Sequence, residues 1–350
     1  MENISTIALL LVFILSAVVT WIAGIALAKT TDTIDTRLKI GEALGGLILL
    51  GISGSLPEIA ITYSAAVNGH IPVIIGNLLG GIAIQTLVIV IFDFATKKNR
   101  PLSYIAGSPL LSMETIFAIV ITSVALLATF IPAQKSILNT NPLSIILVFI
   151  WVIGLFILNK ARKNPNISET VHDASPGRKH HQRRAVENHA FYAKKSTLFV
   201  TGIFILSSIA TLIAGVVCEE SGSIIADRFG INSGIFAATV IALVSSLPEI
   251  STGLESIFIG DNHLAISDIM GGNAFMLVIF LFADILSKKP VLSFAGHQDI
   301  LFAFLGILMM AVYATSFLIK PRKRFFRLGI DSILQIVLYV LGLIMMINLF

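Results

Sequence analysis

Two short blocks place a carboxylate inside apolar surroundings. The first reads Gly51-Ile52-Ser53-Gly54-Ser55-Leu56-Pro57-Glu58, and the second reads Ser245-Ser246-Leu247-Pro248-Glu249. Each lies in a run with the length and composition of a membrane helix, where an ionised side chain costs several kcal/mol and normally faces a polar cavity. The proline just before each glutamate removes a backbone donor and disrupts the preceding turn. Carbonyls around Gly51 to Gly54, and around Ala242 to Ser245, are then freed from helical bonding. In lipid they must be satisfied by protein, water or an ion. Carboxylates, hydroxyls and free carbonyls together form an all-oxygen site of the kind that suits Ca2+, Na+ or Mg2+. Glu58 and Glu249 supply two negative charges, matching one divalent ion or two monovalent ions or protons. A lone glutamate of this kind can also be a protonated helix-packing residue, and a lone proline an ordinary kink. The second copy is what favours an ion site.

The copies belong to a longer internal repeat, the first thing to look for in any chain. At a constant offset of 191 residues, the separation of Glu58 and Glu249, the chain aligns on itself without a gap as far as Lys97-Lys98 and Lys288-Lys289. Within it Gly69 meets Gly260, Asn77 meets Asp268, Gly80-Gly81 meets Gly271-Gly272, and Asp93 meets Asp284. The paired glycines suit close helix packing. Asp268 is either a third acidic group at the site, matched by Asn77, or a helix-start residue. Asp93 and Asp284, a few residues before the lysine pairs, read as interfacial salt-bridge partners. Glu114 and Glu255 also read as interfacial, with Glu255 a candidate for a cation-attracting vestibule.

These blocks need helices that cross a bilayer. The chain of 350 residues is 56% hydrophobic and 13% charged, about half the charge of an ordinary soluble domain. Its apolar residues fall in runs of about 20, enough to span the hydrocarbon core as helix and too continuous for barrel strands. Ten spans are expected, at 5–28, 40–68, 71–95, 110–131 and 142–159, then 197–217, 234–259, 263–286, 298–319 and 328–349. The fold class is therefore all-α: ten transmembrane helices built as two inverted five-helix repeats, 1–159 and 197–350. A polar linker at 160–196 joins them. The first run begins behind Glu2 and exceeds a signal-peptide core, so it reads as the first membrane helix. Cys218 is the single cysteine, so no internal disulfide is possible. Histidines 172, 180, 181 and 189 lie in the linker and read as solvated residues.

Of the 24 Lys and Arg residues, all but Lys135, Arg228, Lys288 and Lys289 fall after spans one, three, five and nine. Basic loops stay cytoplasmic, which puts the linker inside and both termini outside. An odd number of spans per half inverts the second half, an arrangement of secondary transporters with the site near the midplane. The net charge of +4 reflects these loops and the cluster at Arg322, Lys323 and Arg324, not a nucleic-acid surface.

The Ser-Leu-Pro-Glu blocks, with the Gly-Asn or Ser-Asp and Gly-Gly elements that follow, resemble the two alpha repeats of the cation/Ca2+ exchanger superfamily. Sodium/calcium exchangers are its best-known branch. The resemblance spans the whole chain and implies alternating access with exchange of one cation for another. It also implies that the helices of Glu58 and Glu249 form the central ion site. Hydroxyl ligands would be Ser55, Ser245 and Ser246, and backbone carbonyls would come from near Gly51 and Ala242. The chain departs from the family pattern at Gly81 and Gly272, where serines that help hold sodium are missing. It departs again at Gly54, which replaces a hydroxyl residue. About one turn beyond Gly81 and Gly272, where the family places Asn or Asp, stand Gln85 and Met276.

The expected function is a secondary-active antiporter exchanging Ca2+ for Na+ or H+, with the bilayer and the transported cations as its partners and no nucleic acid. The alternatives are a proton antiporter for Mg2+ or Mn2+, or a passive cation channel. Neither a phosphate-binding loop nor a His-Glu-x-x-His motif is present, so neither an ATP-driven pump nor an enzyme is expected, and no cofactor is needed. A short chain without a large regulatory domain points to a prokaryotic cytoplasmic membrane.

Overall fold

The computed structural model describes residues 4–38, 52–97, 99–164, 192 and 194–349. Gly51, Lys98 and the four linker histidines lie outside the described residues. The first helix, α1, runs Thr6–Leu38. Helix α2 follows as Leu56–Asn68, and α3 as Ile71–Ala95 with a π-helical turn at Gly76–Gly80. Helices α4 (Pro109–Ala128) and α5 (Pro142–Arg162) complete the first half. The second half opens with α6, Thr197–Arg228. A broken pair follows, α7 (Ser233–Ser245) and α8 (Leu247–Ile259), bent by 44°. Then come α9 (Asn262–Met276), α10 (Ile279–Ser287), α11 (His297–Ile319) and α12 (Ile330–Leu349). Among the described residues seven helices are long and apolar enough to cross a membrane, eight if the bent pair is one span. Of the two other expected spans, 328–349 forms α12, a shorter apolar helix, and 40–68 is described only from residue 52.

Local sequence explains the helix starts. Ser108, Asn141, Ser196 and Asn232 each cap a helix by accepting a backbone N–H, from Leu111, Leu143, Phe199 and Gly234 respectively. Prolines follow at the first helical position of α4 and α5, where their missing donor costs nothing. Helices α2 and α8 both end on a left-handed glycine, Gly69 (φ 77°) and Gly260 (φ 90°), equivalent positions in the repeat.

Helices α1 and α6 run about ten residues past the expected spans 5–28 and 197–217. Apolar patterning stops there, but helix does not, because the polar residues find partners. In α6, Glu219 is fully buried and accepts bonds from Ser64 (2.6 Å) and Ser223 (3.0 Å), with His70 Nδ1 at 2.6 Å. The two helices pack along each other and carry matched glycines. A Cβ on Gly24 would run into the Pro248 ring; one on Gly215 would lie 2.5 Å from Ala60 Cβ and 3.2 Å from the Pro57 carbonyl. Each helix thus leans its glycine against a proline motif, α1 against the second half's and α6 against the first's. The repeat offset therefore extends back into these helices. Helix α3 occupies the centre, with 89% of its apolar stretch buried, against 22% for α5 at the periphery.

Of the paired aspartates, Asp93 makes the expected kind of salt bridge, though to Arg324, and both also hold backbone donors. Asp93 has Arg324 at 3.7 Å, but it accepts stronger bonds at 2.7 Å from the N–H groups of Leu102 and Gly329 and from Ser332 Oγ. Asp284 accepts from the N–H groups of Asn141 (2.9 Å) and Val291 (2.7 Å). Buried chain turns need acceptors for their backbone donors, and these carboxylates provide them.

Candidate functional site

The helix is interrupted at Ser55 (φ −95°, ψ 18°) and at Ser246 (φ −85°, ψ 0°), one residue ahead of Leu-Pro-Glu in each half. Each proline then opens a new helix, with its glutamate in the first turn. The breaks therefore fall where the prolines predict. The Ala242 carbonyl, expected to be free, accepts the Ser246 N–H (3.1 Å) and the hydroxyls of Ser245 (3.1 Å) and Ser246 (2.7 Å) in this conformation.

Glu58 is fully buried, and neither carboxyl oxygen has a hydrogen-bond partner. The Ser245 side chain from the other half lies beside it. Asn77, also fully buried, has neither its amide oxygen nor its amide nitrogen paired, and Gln85 Oε1 is buried and unpaired. Unpaired buried polar atoms are rare in native structures and call for a ligand, water or ion. They coincide here with three positions expected from sequence.

Glu249 differs. It is half-buried, its Oε2 lacks a partner, and it lines a cavity of about 560 Å3. Asp268, Gly54, Ser55, Gly271 and Gly272 line the same cavity. Glu249 feels the charges of both Glu58 and Asp268, so the three carboxyls are electrostatic neighbours. They do not form a convergent cluster: among the described residues no group of three or more His, Cys, Asp or Glu has metal-holding geometry. A cation held here would rest on the two glutamates together with amide and hydroxyl oxygens, a set suited to a hard ion.

The cavity mouth is rimmed by two ion pairs. Lys29 on α1 meets Glu255 on α8 at 2.9 Å, and Arg162 on α5 meets Glu114 on α4 at 2.8 Å. Both acids were expected to be interfacial, and Glu255 takes the vestibule position. Sequence reading missed further unpaired buried hydroxyl and amide atoms, among them Thr20 Oγ1, Thr62 Oγ1, Thr211 Oγ1 and Asn273 Oδ1. Thr20 and Thr211 stand at the repeat offset from each other, which was a usable signal.

The sodium/calcium exchanger protein family model matches residues 8–159 and 198–348, both halves of the chain. CaxA of Alkalimonas amylolytica is 23% identical over 289 residues, covering 80% of this chain and 82% of CaxA. The inner membrane protein YrbG of Escherichia coli K12 is 25% identical over 243 residues, covering 67% of this chain and 66% of YrbG. Among solved structures, the fold matches the H+/Ca2+ exchanger CAX at TM-score 0.69 and 13% identity, over 97% of this chain and 82% of CAX. It also matches the sodium-calcium exchanger NCX_Mj soaked with Na+ and Sr2+, at TM-score 0.58 and 15% identity, over 97% of this chain and 99% of NCX_Mj. With the family matched along both repeats and apolar helices throughout, the chain belongs to the sodium/calcium exchanger family and is a membrane ion antiporter.

Proposed function

We propose that the protein is a secondary-active antiporter that exchanges Ca2+ for Na+ or H+ by alternating access, at one site shared by Glu58 and Glu249. The observation that carries this reading is the set of buried unpaired carboxyl oxygens in the two motifs, both of Glu58 and Oε2 of Glu249, together with the unpaired Asn77 amide and Gln85 Oε1. A buried ionised carboxylate without a donor is unstable until a cation or proton neutralises it. A doubly negative empty site is therefore costly to carry through the membrane interior, and the site reorients only when loaded. That requirement is what couples the two ion flows.

In this reading the ten spans form two inverted halves, residues 1–159 and 197–350, joined by a cytoplasmic linker at 160–196. The ligand set comprises Glu58, Glu249, Ser55, Ser245, Ser246, Asn77, Asp268 and Gln85, with backbone oxygen from Gly51 and Gly54; the Ala242 carbonyl, already accepting three hydrogen bonds, is left out. The cavity opens at the helix ends that carry Lys29 and Arg162, beside the basic loops. By the positive-inside rule that face is cytoplasmic, so the conformation is inward-facing, with Glu249 accessible and Glu58 sealed. Ca2+ is preferred over Mg2+ because an irregular set of six to eight oxygens suits it, whereas Mg2+ demands near-ideal octahedral geometry. The solved relatives named for H+/Ca2+ exchange and sodium-calcium exchange are consistent with either counter-ion.

The test is 45Ca2+ uptake into proteoliposomes under an imposed Na+ or pH gradient. Uptake driven by at least one gradient, and lost in Glu58→Gln, is expected. Calcium flux that persists with no exchangeable counter-cation would instead support a channel. Absence of calcium flux under both gradients would move the assignment to Mg2+ or Mn2+.

A further inference from the structure

The two glycines that depart from the family pattern are each filled by a side chain of the opposite half. A Cβ built on Gly81 would lie 2.5 Å from the terminal methyl of Met276 and 3.8 Å from Ala242 Cβ. A Cβ built on Gly272 would lie 3.4 Å from Gln85 Oε1. Gly81 and Gly272 are equivalent in the repeat, and so are Gln85 and Met276. The structure therefore holds two crossed plugs, each reaching over to the glycine of the other half. They have opposite chemistry. Gln85 brings an unpaired amide oxygen to Gly272, next to the cavity that holds Glu249 and Asp268. Met276, 1% exposed, brings a thioether methyl to Gly81, next to Ala242 and the serines that bond its carbonyl.

We propose that Met276 is a specificity-determining residue that excludes Na+ from the Gly81–Ala242 half of the ion site. This rests on the shared-site reading above and names its counter-ion. Na+ is a hard cation and needs several oxygen ligands around it. At the Gly81 notch the methyl fills the volume where an oxygen would have to stand, and thioether sulfur prefers soft metals. Ala242 adds little, because its carbonyl already accepts three hydrogen bonds. A proton needs no cage, only a carboxyl, and Glu58 offers one without donors. The Gln85 half keeps its oxygen and remains a cation position. The protein therefore has one oxygen-lined half and one apolar-plugged half, and the plugged half turns over with H+.

The test is thermal unfolding of detergent-solubilised protein, titrated with NaCl against choline chloride at constant ionic strength, together with the ratio of Na+-driven to pH-driven 45Ca2+ uptake. For Met276→Gln, which restores the twofold pair of amides, the Na+ concentration giving half the stabilisation falls about tenfold, the factor one added polar contact supplies. The uptake ratio rises by a similar factor. Met276→Leu, which keeps an apolar plug, shows neither change. Met276→Asn provides a second amide variant if the glutamine variant does not fold. Equal Na+ responses in wild type and both amide variants would overturn the proposal, as would a response in Met276→Leu equal to that in Met276→Gln. Wild-type uptake driven as strongly by Na+ as by pH would also overturn it. The Na+ titration does not depend on calcium flux, so failure of the calcium reading and failure of the role of Met276 are separable.

Discussion

Glu58 and Glu249 follow the same four-residue motif after the same kind of helix break, but their surroundings differ. On the Glu58 side, α6 lies closed over α2. Gly215 sits against Ala60 and Pro57, and further along Glu219 is buried among Ser64, Ser223 and His70. On the Glu249 side, α1 touches α8 through Gly24 and Pro248 and through Trp21 Nε1, which donates to Ser251 Oγ, and both helices line the cavity. There Lys29 pairs with Glu255, about a third exposed on each side. The contrast lies in the packing of α1 and α6, not in the motif. Identical motifs with interchangeable neighbours are what an alternating site requires.

The comparison can be broken most decisively by accessibility. In a Cys218→Ala background, Glu249→Cys reacts with a water-soluble thiol reagent roughly 100-fold faster than Glu58→Cys, since burial protects the thiol. Equal rates would show that both carboxylates are open together. The closed side provides the next largest effect. Glu219→Ala strips a buried acceptor from three donors, and unfolding should become easier by about 2–3 kcal/mol. Chemical denaturation or a fall in unfolding temperature would report this, and an unchanged midpoint would mean that the buried cluster does not hold the helices together. On the open side, Lys29→Ala should cost only about 0.5 kcal/mol, the usual worth of an exposed ion pair. A loss comparable to that of Glu219→Ala would mean that the mouth is as tightly closed as the far side.

Much of this architecture was legible in residue order. The breaks at Ser55 and Ser246 follow from proline, and the ends of α2 and α8 from Gly69 and Gly260. The span 71–95 is helical over its whole expected length. What was not legible depends on residues distant in sequence. Glu219 is stable inside α6 because His70 and Ser64 arrive from more than 140 residues away, and hydropathy along the chain carries no trace of them. Asp93 and Asp284 read as salt-bridge residues because lysines follow closely, whereas backbone donors that fold back later in the chain are their main partners. The crossed filling of Gly81 by Met276 and of Gly272 by Gln85 needs the two halves docked face to face. Sequence showed only that hydroxyls were missing there.

The most direct test of the shared site is the stoichiometry of Ca2+ binding to purified protein, by equilibrium dialysis with 45Ca2+, for wild type, Glu58→Gln and Glu249→Gln. One site built from both carboxylates predicts about one Ca2+ per chain in wild type and, by loss of a charged ligand, roughly 100-fold weaker binding in either variant. Binding that survives in each single variant at near wild-type affinity would mean two independent sites and would contradict the account.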